Sequence, residues 1–273
     1  MGRKRIYTIN EEYFSIENET PNKYYILGFI YADGGVNNNY LTITIHKKDI
    51  SVLEFIKSEL NYNGPLYYKG DNKQYVSLTI SSKKICNDLK LYGIIPNKTY
   101  KSKGFNIPEK YINSFLLGFF DGDGSVYHSE NTKKSIKEYT VSFSNNKYVL
   151  SFLKDFLKDN DISTSKIRFR HDSIYSGMLE CRGNINIEKM YTLLYEKSFC
   201  TFSMLRKKNK FLEFKQELKK LKRRYLKDEV IELIKEEYFV KGKKQYIIAK
   251  EMNLVPSTVR AVVQRLRKQI KNE

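Results

Sequence analysis

Ile26-Leu27-Gly28-Phe29-Ile30-Tyr31-Ala32-Asp33-Gly34 returns 90 residues later as Leu116-Leu117-Gly118-Phe119-Phe120-Asp121-Gly122-Asp123-Gly124. Both copies close mostly apolar stretches, Tyr24–Asp33 and Ile112–Asp123, and both end at a glycine, which predicts a helix followed by a stop. Gly28 and Ala32 are four residues apart, as are Gly118 and Gly122, so each helix carries two small residues on one face. Such faces allow very close backbone approach. Packing them together would bring Asp33 and Asp123 side by side at two helix C-termini, where the macrodipole is already negative. Two carboxylates so placed need cations, and divalent metals bound through oxygen are the natural partners.

The repetition extends beyond the motif. Ile43-Thr44-Ile45 followed by Val52–Leu60 is echoed by Val141-Ser142-Phe143 followed by Val149–Leu157, so a whole unit is duplicated. Leu41–Ile45, Val76–Ile80, Tyr139–Ser144 and Lys166–Arg170 alternate with period two and predict strands. Each sheet then has one apolar face and one face of Thr, Ser, Lys and Arg, the usual pattern of an antiparallel sheet with helices on one side. Thr42, Thr44 and His46 share the polar side, as do Thr140, Ser142 and Ser144. Lys166, Arg168 and Arg170 form a basic stripe opposite Ile167 and Phe169. Thr and Ser suit base edges and phosphates, and Lys and Arg suit phosphates and guanines.

Charge points the same way. The chain of 273 residues carries 49 Lys+Arg against 31 Asp+Glu, a net +18 that implies a polyanionic partner. Residues 206–273 hold 21 bases and 9 acids, so two thirds of the excess lies in the last quarter. No apolar run approaches the roughly 20 residues of a membrane span, and no signal peptide is expected. Cys86, Cys181 and Cys200 lie far apart, as do His46, His128 and His171, which gives neither zinc spacing nor a disulfide framework. A reduced, intracellular protein of cytoplasm, nucleoid or organelle matrix is expected.

The two motif segments resemble the LAGLIDADG motif of homing endonucleases, and the likeness covers about residues 1–210. The family's essential acid is the eighth motif position, here Asp33 and Asp123. The sixth is Asp121 in the second copy and Tyr31 in the first, where it departs from the consensus. The resemblance implies an α+β fold, a pseudo-twofold saddle of two αββαββα units whose polar sheet faces lie in the DNA major groove. Each Asp, with the backbone carbonyl of its preceding residue (Ala32, Gly122), would hold Mg²⁺ or Mn²⁺, two or three ions in all, against one scissile phosphate. Lys98 and Lys207 fit the basic groups the family sets around those metals, and His46 and Ser144 lie in loosely matching places. The implied activity is a double-strand break with short 3′ overhangs, made by a monomer. A non-cutting transcription regulator and an RNA-splicing maturase, with intron RNA as a further partner, are the alternatives on the same fold.

At the C-terminus, Ile248–Leu254 followed by Val255–Val262 resembles a helix-turn-helix. Asn253 takes the turn position usually held by Gly, and Ile248, Met252, Leu254, Val259 and Val262 fall on core positions. Ser257 is expected to cap the second helix, whose exposed face would carry Thr258, Arg260, Gln264 and Arg265 toward a major groove, with Ser257 at its start. The expected organisation is a first unit at 1–110, a second at 111–210, a basic helical linker at 211–227 and a DNA-binding domain at 228–273.

Overall fold

Thr20 starts the first motif helix. Its hydroxyl accepts from the Lys23 amide at 3.2 Å, and Pro21 follows with φ already set for a helix, so α1 runs Pro21–Asp33, a turn earlier than the apolar run alone suggests. A computed structural model describes residues 6–131, 136–169, 173–224 and 228–270. The chain divides into two compact units, Met1–Lys215 and Gln216–Glu273.

In the N-terminal unit α1 is followed by β1 (Gly34–Val36), β2 (Tyr40–His46), α2 (Ile50–Glu59), β3 (Tyr67–Lys69), β4 (Tyr75–Ser81), α3 (Lys83–Leu91) and the short α4 (Lys98–Lys101). The order then repeats with α5 (Ile112–Asp123), β5 (Gly124–Asn131), β6 (Ile136–Asn145), α6 (Lys147–Asp159), β7 (Arg168–Phe169), β8 (Gly177–Arg182) and α7 (Asn184–Tyr191), after which comes α8 (Leu205–Arg224). Each repeat is thus αββαββα. Among the described residues the strands form two antiparallel sheets, ordered β1-β2-β4-β3 and β5-β6-β8-β7. Gly34 pairs with Ile43 in one and Gly124 with Phe143 in the other, so the motif helices enter their sheets at equivalent positions.

The two motif helices form the seam. A Cβ on Gly28 would lie 1.9 Å from the Phe115 carbonyl oxygen, and one on Gly118 would lie 1.8 Å from that of Tyr25. Each glycine therefore faces the carbonyl three residues before the other, as a twofold pairing requires. Lys23 to Tyr31 are all buried, which is why α1 is apolar nearly all round and has no polar face to offer. Gly34 and Gly124 do not end their helices in the left-handed conformation; their φ angles are -79° and -87°. They are glycine because a Cβ would strike Ile30 at 2.6 Å and Phe120 at 2.1 Å.

Residues 211–215 are not a linker. Phe211 and Phe214 of α8 are buried against Phe120, Tyr139, Tyr191 and Tyr195, so the start of this helix belongs to the aromatic core of the second repeat.

The C-terminal unit packs α9 (Asp228–Lys235), α10 (Gln245–Glu251) and α11 (Pro256–Ile270) around Ile234, Ile248, Ala249, Val259, Val262, Val263 and Leu266. Met252 and Leu254 pack partly buried against that core, and Asn253 sits at φ 51° in the turn. Ser257 is not the cap expected of it. Pro256 fixes φ one residue earlier and begins the helix, leaving Ser257 exposed in its first turn. No helix of the described residues is long and apolar enough to cross a membrane.

Candidate functional site

Asp33 and Asp123 are the last residues of α1 and α5, and the helix seam delivers both to one place. A Cβ built on Gly122 would lie 2.3 Å from the Ala32 Cβ and 3.4 Å from Asp33 Oδ2, so the small residues bring one motif's acid against the other's backbone. Asn145, at the end of β6, donates its amide to Asp123 Oδ2 at 2.7 Å. Burial, and then the neighbouring Asp33 charge, push the Asp123 carboxyl up to about 6. Asp33 is also raised by burial, against the pull of the Lys207 and Lys98 charges.

Two lysines flank the acids. Lys207 is buried, and its Nζ donates to the carbonyl oxygens of Phe120 (2.8 Å), Asp121 (2.7 Å), Gly122 (3.2 Å) and Gly124 (2.6 Å). Asp121 and Gly122 lie in the last turn of α5, where a cation is the favoured neighbour, and the Phe120 carbonyl accepts from the Gly124 amide as well. Burial brings the ammonium down to about 8, although the acids around it hold the proton on. Lys98 Nζ donates to the Gly34 carbonyl, the counterpart of Gly124. It reaches there from α4, which Asn97 opens in the left-handed conformation at φ 56°. Burial lowers its pKa too. A cleft of roughly 190 Å³ lies over this cluster, lined by Ala32, Lys98, Asp123, Ser144 and Asn145. Lys98 also borders a second hollow of roughly 350 Å³ with Gly34, Gly35 and Thr42.

The donor set fits a hard divalent cation. It offers two carboxylates that burial and mutual repulsion make reluctant to ionise together, beside the carbonyls of Ala32 and Gly122. No cluster of three or more His, Cys, Asp or Glu side chains is present among the described residues. A cation held by these two carboxylates and two carbonyls would keep positions for water and phosphate, as Mg²⁺ does. The Gly122 carbonyl already accepts from Lys207 and has a second lone pair to give.

The sheet faces differ from their expected form. Thr42 and His46 are half-buried and Thr44 is exposed, with Thr44 Oγ1 3.0 Å from Ser77 Oγ. His46 Nδ1 accepts from the Lys48 amide at 3.2 Å, so this ring caps the turn after β2. Ser144 is exposed and lines the cleft. Thr140 and Ser142 are buried and are not available as an open surface. Tyr127, beside Thr140, donates to Glu180, beside Ser142, at 2.6 Å; this bond crosses over β6 and covers both hydroxyls. Glu180 also accepts from Arg182 at 2.9 Å and from Arg168. Burial pushes its carboxyl up, but Tyr127 and the two guanidiniums outweigh that and leave it below the ordinary carboxylate value. The basic stripe is accordingly corrected: Arg168 is exposed but neutralised by Glu180, Lys166 is exposed outside the two-residue β7, and Arg170 lies outside the described residues. In the C-terminal unit Ser257, Arg260, Gln264 and Arg265 are exposed and Thr258 is half-buried.

A LAGLIDADG-like domain model matches residues 110–193. The LAGLIDADG homing endonuclease I-GzeII, solved in complex with its DNA target, superposes with a TM-score of 0.56 at 14% identity, covering 80% of this chain and 97% of that one. The LAGLIDADG meganuclease I-AabMI bound to uncleaved DNA gives 0.54 at 14% identity, over 76% and 93% of the two chains. For I-CpaMI, also bound to uncleaved DNA, the values are 0.53, 16%, 75% and 92%. The fold is that of the LAGLIDADG homing endonucleases. A search of curated proteins finds no match.

Within this LAGLIDADG fold, the structure adds residues that sequence reasoning missed. Asn145 on Asp123, Glu180 and Arg182 on the second sheet, and the segment from Ser198 to Arg206 all shape the site. That segment is pinned along the seam: Ser114 donates to the Ser198 carbonyl, Thr201 donates to Asn22, and Arg206 grips Asp49 through two bonds of 3.1 and 3.0 Å. The alternation of Leu179–Arg182 could have flagged Arg182; nothing local flags the rest.

Proposed function

We propose that the chain is a site-specific endonuclease of double-stranded DNA that hydrolyses one phosphodiester in each strand and leaves short 3′ overhangs. The carrying observation is the juxtaposition of Asp33 and Asp123 at the ends of two helices in backbone contact, each flanked by a lysine on its following glycine carbonyl. Asp33 and Asp123, with the carbonyls of Ala32 and Gly122, would hold two or three Mg²⁺ or Mn²⁺ ions. Those ions would neutralise the scissile phosphate, favour ionisation of the attacking water and stabilise the leaving 3′ oxygen. Lys98 and Lys207 place fixed positive charge beside the same phosphates, at no reorganisation cost during reaction.

The polar sheet faces supply the recognition surface, with Thr42, Thr44, Ser144 and Lys166 directly accessible and Arg168 released as Glu180 exchanges partners. The C-terminal unit adds a helix-turn-helix whose α11 presents Ser257, Thr258, Arg260, Gln264 and Arg265 to a further stretch of groove. Both acids come from one chain, so a monomer suffices. The structures it resembles were solved with DNA targets, which supports the choice of substrate.

Incubation with a randomised plasmid library and Mg²⁺, followed by sequencing of cut ends, tests this. Discrete double-strand ends sharing a long flanking sequence are expected. Absence of cleavage under Mg²⁺ and Mn²⁺ alike, with DNA still bound, would overturn the nuclease reading.

A further inference from the structure

The sixth motif position keeps the consensus aspartate in one repeat, as Asp121, and departs from it in the other, as Tyr31. The two side chains do geometrically equivalent things. Asp121 is buried, and its Oδ2 accepts from the Met204 amide at 2.8 Å and from Tyr25 OH of the opposite motif helix at 2.8 Å. Met204 lies three residues before Lys207, immediately ahead of α8. In the first repeat the Tyr31 hydroxyl is buried 2.7 Å from Ser102 Oγ. Ser102 lies four residues after Lys98, immediately past α4. In each repeat, then, the same helical position reaches out to the backbone segment that carries that repeat's lysine.

The chemistry differs because the two segments present different groups. Asp121 meets a free backbone amide, which a carboxylate accepts well. Tyr31 meets a hydroxyl at greater reach, and Ser102 passes the contact on by donating to the Gly104 carbonyl at 2.9 Å. Both contacts are sequestered from water, where a lost partner is costly and the remaining group drives rearrangement. Neither the Tyr31 nor the Asp121 side chain bonds to the lysine itself, so each side chain acts through the segment.

We propose that Tyr31 and Asp121 are paired positioning residues, each holding the segment that seats its own repeat's lysine, Lys98 or Lys207, on the glycine carbonyl beside the acid. The strand-cleavage consequence rests on the nuclease reading above; the seating of the lysines does not.

The full-length chain tests this by two independent routes. The first needs no DNA or metal: brief treatment with acetic anhydride, with the modification of each lysine read by peptide mass spectrometry. Asp121→Ala should raise acetylation of Lys207 by about tenfold and leave Lys98 unchanged, the factor expected for losing the buried hydrogen bond to Met204. Asp121→Asn keeps an acceptor oxygen for Met204 and should restore protection to within about threefold of the parent. Tyr31→Phe should raise acetylation of Lys98 and not of Lys207. It deletes one oxygen and keeps the buried ring, so this arm decides the matter even where Asp121→Ala does not fold. The second route is cleavage of a supercoiled plasmid bearing the selected target, in which Asp121→Ala and Tyr31→Phe should accumulate nicks in opposite strands. Unchanged lysine protection in Tyr31→Phe, or equal exposure of both lysines in either variant, overturns the proposal. A parent protein that cuts no DNA but shows the selective acetylation overturns the nuclease reading alone.

Discussion

Lys207 Nζ lies 2.6 Å from the carbonyl oxygen of Gly124, and Lys98 makes the matching contact with Gly34. The equivalence is reached from unrelated places, a long helix after the second repeat and a single helical turn after the first. The surroundings are unequal: Lys207 is shared among four carbonyls, whereas Lys98 bonds to one. Lys207→Met should therefore lower stability by about 1–3 kcal/mol, since it leaves buried acceptors without a donor. Lys98→Met should lower cleavage with a smaller stability loss. Urea denaturation of both variants beside single-turnover cleavage separates the two effects; equal stability losses would show that the four-carbonyl seat is not what holds Lys207.

Asp33→Asn or Asp123→Asn should abolish double-strand cleavage and leave binding of the target intact or slightly tighter. Removing a negative charge next to phosphates lowers repulsion, while the metal loses a ligand. Gel-shift titrations in chelator and cleavage assays in Mg²⁺ check the two halves. Full double-strand cutting by either variant would remove the acids from the mechanism.

The same acids set a pH dependence of stability. Asp123 is held near 6, above its ordinary 3.8, chiefly by burial. The folded chain thus binds this proton more tightly than the unfolded chain, so the unfolding free energy falls as pH rises from about 4 to about 6 and is flat above that. Compared with Asp123→Asn, the parent in chelator should lose on the order of 3 kcal/mol across that window. Asp121, pushed up to about 6 by burial, acts in the same sense, so the variant's own slope diminishes without vanishing. Adding Mg²⁺ at neutral pH should return the lost stability to the parent and not to the variant. A parent-minus-variant difference that does not change with pH would mean that the paired carboxylates are not strained.

How much of this was legible in the residues follows from the range of each interaction. The Gly28 and Gly118 spacing revealed the seam because helix periodicity is local and a missing Cβ has one strong consequence. Asp33 and Asp123 followed from the repeat. Tyr31 was visible as a departure from the motif and Asp121 as its consensus counterpart, but Met204, the partner of Asp121, lies 83 residues away on an irregular segment that no periodicity announces. Strand alternation placed Thr140 and Ser142 on the polar face correctly. It could not show the Tyr127–Glu180 bond lying over them, because that bond joins two other strands. The start of α11 was missed by two residues because Pro256 at the first turn outweighs a serine after it.

Gly28→Ala and Gly118→Ala should each destabilise the N-terminal unit. Alanine favours an isolated helix over glycine by about 1 kcal/mol. Here that gain is outweighed, because the added carbon would sit 1.9 or 1.8 Å from a backbone oxygen that cannot rotate away. The helices must separate, at about 1–3 kcal/mol or more, and the carboxylates at their ends separate with them. Thermal melts should show the loss in both variants, and cleavage should fall further than folded fraction alone explains. An unchanged melting temperature in both would mean that α1 and α5 do not meet through this face.

The C-terminal unit should lengthen the recognised site without choosing where it is cut. Its seven-residue core is its own, and the acids and both lysines lie within Met1–Lys215. Residues 225–273 nevertheless hold 11 of the 49 basic side chains. Ending the chain after Arg224 should therefore weaken binding and flatten its dependence on salt, because fewer phosphates are neutralised and fewer counterions released. At high protein concentration the shortened chain should cut the same bonds, since Asp33, Asp123 and both sheets remain. Arg260, exposed on α11, gives a finer test. Arg260→Ala should relax preference only outside the central cleavage region, by about 1–3 kcal/mol where it reads a guanine. A phosphate contact would instead lower affinity for all sequences and reduce the salt slope by about one. Footprints of the full and shortened chains decide the larger point. Equal footprints would show that the unit reads no DNA, and a shifted cut position would show that the duplicated core does not set the register alone.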